Sequence, residues 1–209
     1  MIDPARFVLF VGVAWALILA PGRDMLYVLT RGVTQGRQAG MLSAVGVICG
    51  ILVHTTAAAF GLTLIFQTSA IAFLIIKYIG AMYLIYLGIK SWRDNSAFHL
   101  QPSFTSASFR KIFWQGVLSN VLNPKIAIFF LAFLPQFVDK SSSQVTLQLV
   151  TLGLTFAFLG LLFLVVVGYS SGTIGSWITR RPHIARFLGR LSGGILVALG
   201  VRLALTERQ

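Results

Sequence analysis

Residues 112–138 read IFWQGVLSNVLNPKIAIFFLAFLPQFV, and one lysine stands at their centre. Lys125 has 13 uncharged residues on each side, Ile112–Pro124 and Ile126–Val138. As helix at 1.5 Å per residue, such a run crosses the roughly 30 Å hydrocarbon core of a bilayer. A charge at that depth costs at least about 2.5–3.5 kcal/mol, so Lys125 needs a polar cavity or a partner. Pro124 removes a backbone hydrogen bond and bends the helix. Asn123 has the groups to bond the freed carbonyls or a ligand. Broken helices persist in membranes where they are buried in protein or line a wet cavity. The bland alternative is a structural kink with a snorkelling lysine, and mid-span depth argues against it.

The rest of the chain repeats this pattern. Of 209 residues, 56% are hydrophobic and 11% charged, with mean hydropathy +0.85. A soluble domain carries roughly 25% charged residues. No Asp, Glu, Lys or Arg occurs in 38–76 or 141–179, two gaps of 39 residues. Apolar runs at Phe7–Thr30, Met41–Phe66, Ile71–Trp92, Ile112–Val138, Val145–Tyr169 and Ile184–Leu205 predict six transmembrane helices. The fold class is therefore all-α integral membrane, one transmembrane domain over 1–209. Its first half is 1–92, its polar cytoplasmic linker 93–111 and its second half 112–209. The stretches Arg31–Gln38 and Ser170–His183 read as loops, and Gln67-Thr68-Ser69 as a short break. The first run, lacking a basic lead and a good cleavage site, is expected to be a retained helix.

The net charge is +12. Its basic residues lie in short clusters between apolar runs, which reads as topology rather than nucleic-acid binding. Arg31, Arg37, Lys90, Arg93, Arg110, Lys111, Arg180, Arg181 and Arg186 fall on one side. Arg6, Lys140, Arg202 and Arg208 fall on the other. The positive-inside rule places the larger set in the cytoplasm and both termini outside. Lys77, near a helix start, is expected to snorkel.

Two related halves are expected. Leu19-Ala20-Pro21-Gly22 resembles Leu122-Asn123-Pro124-Lys125. Leu84, Leu87, Gly88 and Lys90 match Leu196, Leu199, Gly200 and Arg202 at a constant offset of 112. Three spans per half is odd, so the halves would insert with opposite orientations, an inverted repeat.

The first half has its own break, at Pro21-Gly22, followed by Arg23 and Asp24. Asp24 is the one acidic residue expected within a span. It has the chemistry to hold an ammonium group, carry a coupling proton or pair with Lys125. Helix N-termini freed beside Gly22 and Pro124 attract carboxylate. Together they offer both signs a zwitterion needs. His54 is a candidate proton relay, with a packing hydrogen bond as the commoner role. Pro135 and Gln136 are a candidate gate, with a helix stop as the commoner reading. Gly46-x-x-x-Gly50 and Gly189-x-x-x-Gly193 permit close helix contact, in a homodimer or within the chain.

Other chemistries lack their residues. There is no Gly-x-x-x-x-Gly-Lys-Ser/Thr phosphate loop, and no Ser-His-Asp grouping for hydrolysis, so no enzyme and no cofactor is expected. His54, His99 and His183 are far apart and Cys49 is the single cysteine. No metal site is expected, and the lone thiol counts against a thiol–disulfide carrier.

Three segments carry a family resemblance. Pro21-Gly22-Arg23-Asp24-Met25-Leu26-Tyr27-Val28-Leu29 resembles the Pro-Gly-Pro-(Asp/Asn)-x-Leu segment of the lysine-exporter (LysE) family. Residues Lys77 to Gly88 look like its third-helix motif. Asn123-Pro124-Lys125, with Phe129-Phe130 and Leu134-Pro135-Gln136-Phe137, is similar to its fourth-helix motif. The nearest branch is the homoserine/threonine-efflux (RhtB-like) group. The resemblance implies a proton-coupled secondary transporter exporting amino acids or close derivatives across the bacterial inner membrane. Its partners would be an amino-acid substrate and the lipid bilayer. Metal-ion or other small-solute export is the alternative. Arg23 departs from the family pattern, which has a second proline there; it would either bind a substrate carboxylate or neutralise Asp24.

Overall fold

The computed structural model describes residues 2–62, 70–93, 106–139, 142–179 and 182–206. The Gln67–Ser69 break, most of the linker, His99, Lys140, Arg180, Arg181 and Arg208 lie outside these residues. The described chain is helical throughout, in the order α1 (Pro4–Leu19), α2 (Arg23–Gln35), α3 (Arg37–Ala57), α4 (Ala70–Arg93), α5 (Phe109–Val121), α6 (Pro124–Ile128), α7 (Val145–Tyr169), α8 (Ser171–Thr179) and α9 (Pro182–Leu205). A π-helical turn, Ala58–Leu62, extends α3. A π turn, Phe129–Phe133, and a 3-10 turn, Leu134–Phe137, extend α6.

Four helices are long and apolar enough to cross a bilayer, and two further pairs qualify as bent spans. Helices α1 and α2 meet at 50°, and α5 meets the α6 segment at 48°. Both bends fall at the expected prolines, for the expected reason: residue 21 or 124 has no N–H to offer the carbonyl four residues earlier.

Two loop expectations are corrected. The polar stretch after Thr30 remains helical to Gln35, and the single residue Gly36 joins α2 to α3. Gly36 has φ +89°, a region a side chain disfavours. Arg31, expected in a cytoplasmic loop, is only 2% exposed. Its guanidinium donates to Gln35 Oε1 and to Gln115 Oε1, the latter at 2.7 Å, and lies 5.9 Å from the Tyr27 ring centroid. Those partners let the charge enter the helix bundle. The Ser170–His183 stretch contains α8, whose Ser171 sits against Gly32 of α2. Lys77 is also buried, its Nζ donating to Thr206 O at 2.6 Å, where it caps the C-terminus of α9.

Small residues set how closely the helices approach. A Cβ placed on Gly40 would lie 2.8 Å from Gly168 O, and one on Gly153 would lie 2.3 Å from Thr55 Cγ2. These two contacts make α3 and α7 antiparallel. Gly46 and Gly50 of α3 face Phe113 and Asn120 of α5, a parallel pair. Helices α4 and α9 are antiparallel, joined through Gly88–Gly193, Ala81–Gly200 and Ser91–Gly189. These directions are the ones six alternating spans require. Both glycine motifs noted in the sequence are thus used inside the chain.

Adjacent glycines in α9 supply a test of this packing. A Cβ on Gly193 would lie 2.5 Å from Gly88 O, whereas nothing lies within 4 Å of one on Gly194. Gly193→Ala is expected to destabilise by about 1–3 kcal/mol through overpacking. Gly194→Ala is expected to be neutral or to gain about 0.5–1 kcal/mol by restricting the unfolded chain. The melting temperature in detergent should fall for Gly193→Ala and hold or rise for Gly194→Ala; equal shifts would refute the α4–α9 seam.

Candidate functional site

The site forms where the two breaks cross. Pro21 cannot donate to Leu17 O, so the end of α1 keeps bare carbonyls. Lys125 from the other break supplies them. Its Nζ donates to Leu17 O at 3.2 Å and Ala20 O at 2.9 Å, a position the negative end of a helix dipole favours. Pro124 likewise frees Asn120 O. That carbonyl accepts from Asn123 N at 2.8 Å instead, and His54 Nε2 lies 3.1 Å from it. Arg23 reaches across in the reverse direction, Nη1 donating to Leu122 O at 3.3 Å. Each break therefore sends a cation to the carbonyl end of the other's first helix.

Gly22 makes room for this. A Cβ there would lie 3.0 Å from Lys125 Nζ. Asn123 caps α6, its Oδ1 accepting from Lys125 N at 3.1 Å. Its Nδ2 donates to Asp24 Oδ2 at 2.9 Å, as does Asn120 Nδ2 at the same distance. Asp24 sits in the first turn of α2, which has no side-chain cap of its own, and a carboxylate is favoured at that end. Its second oxygen, Oδ1, is buried with no hydrogen-bond partner. Lys125 and Asp24 share the site without a direct hydrogen bond.

Two cavities flank the crossing. One of about 260 Å³ runs between the breaks and the α4–α9 pair, with Arg23, Lys90, Ser91, Asn123, Lys125 and Ser192 among its lining. It is smaller than the roughly 300–1,000 Å³ of drug-sized pockets. The other, about 30 Å³, lies toward α3 and α7 and is shared by Asp24 and Lys125.

Beyond the crossing, the segment after α6 is filled with aromatic side chains. Phe10, Phe129, Phe130, Phe133, Phe137 and Phe156 form one buried cluster, with neighbouring rings 5.1–6.4 Å apart. Pro135 is buried at its end, and Gln136 Nε2 is buried without a partner. Among the described residues, no three His, Cys, Asp or Glu side chains come together as a metal site.

The structure brings Pro21, Gly22, Arg23, Asp24, Asn123, Pro124 and Lys125 to one place, with His54 one hydrogen bond away. Pro135 and Gln136 lie apart, beside the aromatic cluster. Sequence reasoning missed Asn120, which is fully buried and holds Asp24. Its signal was a polar amide three residues before Asn123, hence on the same helical face.

Two bent spans crossing at a central polar site define a polytopic helical membrane protein. The profile of the LysE type translocator family matches residues 15–207, and the chain belongs to that family. It is 31% identical over 190 residues to a homoserine/homoserine lactone efflux protein of Salmonella typhi, covering 90% of each chain. It is 29% identical over 196 residues to a leucine efflux protein of Enterobacter sp. strain 638, covering 91% of each. An uncharacterized membrane protein of Bacillus subtilis is 29% identical over 206 residues, covering 94% of this chain and 97% of that one. No solved structure matches.

Proposed function

We propose that this translocator exports an amino acid or close derivative from the cytoplasm across the bacterial inner membrane, coupled to inward proton movement. The observation that carries the reading is the reciprocal crossing of the two breaks, with Lys125 on the α1 carbonyls and Asp24 on two asparagine amides. Efflux relatives acting on homoserine, its lactone and leucine support the substrate class. The larger cavity receives the substrate. Lys125 holds its carboxylate through the ammonium N–H not spent on Leu17 O and Ala20 O. Asp24 carries the proton, because it lines the small cavity and not the larger one and its Oδ1 has no hydrogen-bond partner. A proton crossing the membrane supplies about 2.3 kcal/mol per 100 mV.

Alternating access follows from an inverted repeat. Its support is the constant offset of 112 between the halves, with which the contacts of the antiparallel pairs are compatible. Under the 112-residue offset, Gly88–Gly193 maps onto Ala81–Gly200, and Gly88–Val197 maps onto Ile85–Gly200. The distances from the built Cβ atoms pair as well, 2.6 with 2.8 Å and 2.6 with 2.7 Å. Under an offset of 113, Gly40–Gly168 maps onto Thr55–Gly153. The cytoplasmic side is the one bearing Lys90, Arg93 and Arg186, so the larger cavity faces inward and the phenylalanine cluster closes the outer side.

The test is efflux of labelled amino acids from preloaded vesicles, with and without a protonophore. Protein-dependent efflux of one class, abolished by the protonophore, is expected. Efflux indifferent to the protonophore would remove the proton from the mechanism.

A further inference from the structure

The walls of the larger cavity are unbalanced in charge and in hydrogen-bonding sense. Arg23, Lys90 and Lys125 line it, and among the described residues no Asp or Glu does. Lys125 spends two of its three ammonium N–H groups on Leu17 and Ala20, leaving one. Arg23 spends one on Leu122, and a guanidinium has five. Acceptors are few. Asn123 Oδ1 already receives the Lys125 N–H, and Asn123 Nδ2 is a donor committed to Asp24. Ser91 and Ser192 direct their hydroxyl protons to Gly189 O and Pro21 O, and only their oxygen lone pairs remain. Asp24 is absent from these walls. It lines the small cavity instead, and its Oδ2 is already taken by the Asn120 and Asn123 amides.

A carboxylate entering this space meets donors and positive charge from Arg23, Lys90 and Lys125. Among the described side chains an ammonium group meets three cations and two serine oxygens. Burying a cation without an acceptor is far costlier than leaving it in water. The balance of the walls therefore selects net charge, not only a carboxylate.

We infer that the cavity selects a small solute of net negative charge, a carboxylate whose amine is either acylated or outweighed by a second carboxylate. This rests on the exporter reading above and narrows it. An acidic amino acid and an N-acyl amino acid share the chemistry.

The experiment uses the full chain in proteoliposomes and offers labelled glutamate, N-acetylalanine, glutamine, threonine, leucine and lysine singly and in competition. Glutamine is the near-isosteric neutral partner of glutamate. Export of glutamate or N-acetylalanine at least about tenfold faster than the best neutral amino acid is expected, with lysine slowest; tenfold corresponds to about 1.4 kcal/mol. The two anionic arms distinguish the sources. Arg23→Gln should lower the anion-to-neutral ratio about fivefold, on the scale of one charge interaction of about 1 kcal/mol, while Arg23→Lys keeps it. Preference for threonine, leucine or glutamine over both anions would overturn this inference and leave the exporter reading standing. An unchanged ratio in Arg23→Gln would also overturn it. No protein-dependent movement of any of the six would overturn both.

Discussion

Lys125→Met is expected to fold and insert like the parent and to export at least about 30-fold more slowly. Two magnitudes decide the stability. Removing the ammonium leaves Leu17 O and Ala20 O without their donor, a loss of about 1–3 kcal/mol for each buried acceptor. Removing a charge from mid-bilayer returns about 2.5–3.5 kcal/mol. These nearly cancel. For a chain of this size 1 kcal/mol moves the melting temperature by about 2–4 °C, so a shift within about 5 °C is expected. Function has no such compensation. Methionine offers a carboxylate nothing, and losing one partner of a desolvated charge pair costs about 2–5 kcal/mol, with tenfold per 1.4 kcal/mol. The measurement is export rate against melting temperature on the same preparation. Export within threefold of the parent would reduce Lys125 to a tie between the breaks. A collapse in melting temperature matching the collapse in export would say the same.

The parts of this site that local chemistry controls are readable without coordinates. Pro21 and Pro124 announce a break because proline lacks an N–H whatever surrounds it. Lys125 announces a polar surrounding because 13 apolar residues flank it on each side. What remains hidden depends on partners far along the chain. Arg31 looks like a loop residue until Gln115, 84 positions away, is brought within 2.7 Å. Arg23 presents two readings in the sequence, substrate carboxylate or Asp24, and the structure adds a third, Leu122 O. Asn120 is unremarkable as one amide in an apolar run until Asp24 arrives from 96 residues away. The repeat lies between these cases. Its Leu and Gly matches are weak as letters. The contacts of α4 and α9 add little to the letters, because any antiparallel pair keeps the sum of its contacting residue numbers constant, 281 for both Gly88–Gly193 and Ala81–Gly200.

Asp24→Asn should separate coupling from transport. The substitution is nearly isosteric, and the site can keep its geometry. An asparagine oxygen in the place of Oδ2 still accepts from Asn120 and Asn123, both 2.9 Å away. Its NH2 then takes the place of Oδ1, on a residue that lines the small cavity. That cavity, about 30 Å³, has room for about one water. The route for a proton between that water and the carboxylate is lost, because an amide does not take one up at physiological pH. The substrate cavity is untouched, since Asp24 does not line it. With the membrane potential clamped at zero, a gradient of about one pH unit is worth about 1.4 kcal/mol per proton. A one-proton exporter turns that into about a tenfold substrate gradient. Asp24→Asn is expected to bring the gradient to unity while substrate-for-substrate exchange stays within about threefold of the parent. Clamping the potential keeps the result independent of the substrate's own charge. A tenfold gradient surviving in Asp24→Asn would move the proton elsewhere, with His54 the next group to replace. Loss of exchange together with the gradient would make Asp24 a clamp on Asn120 and Asn123 that holds the two breaks in register.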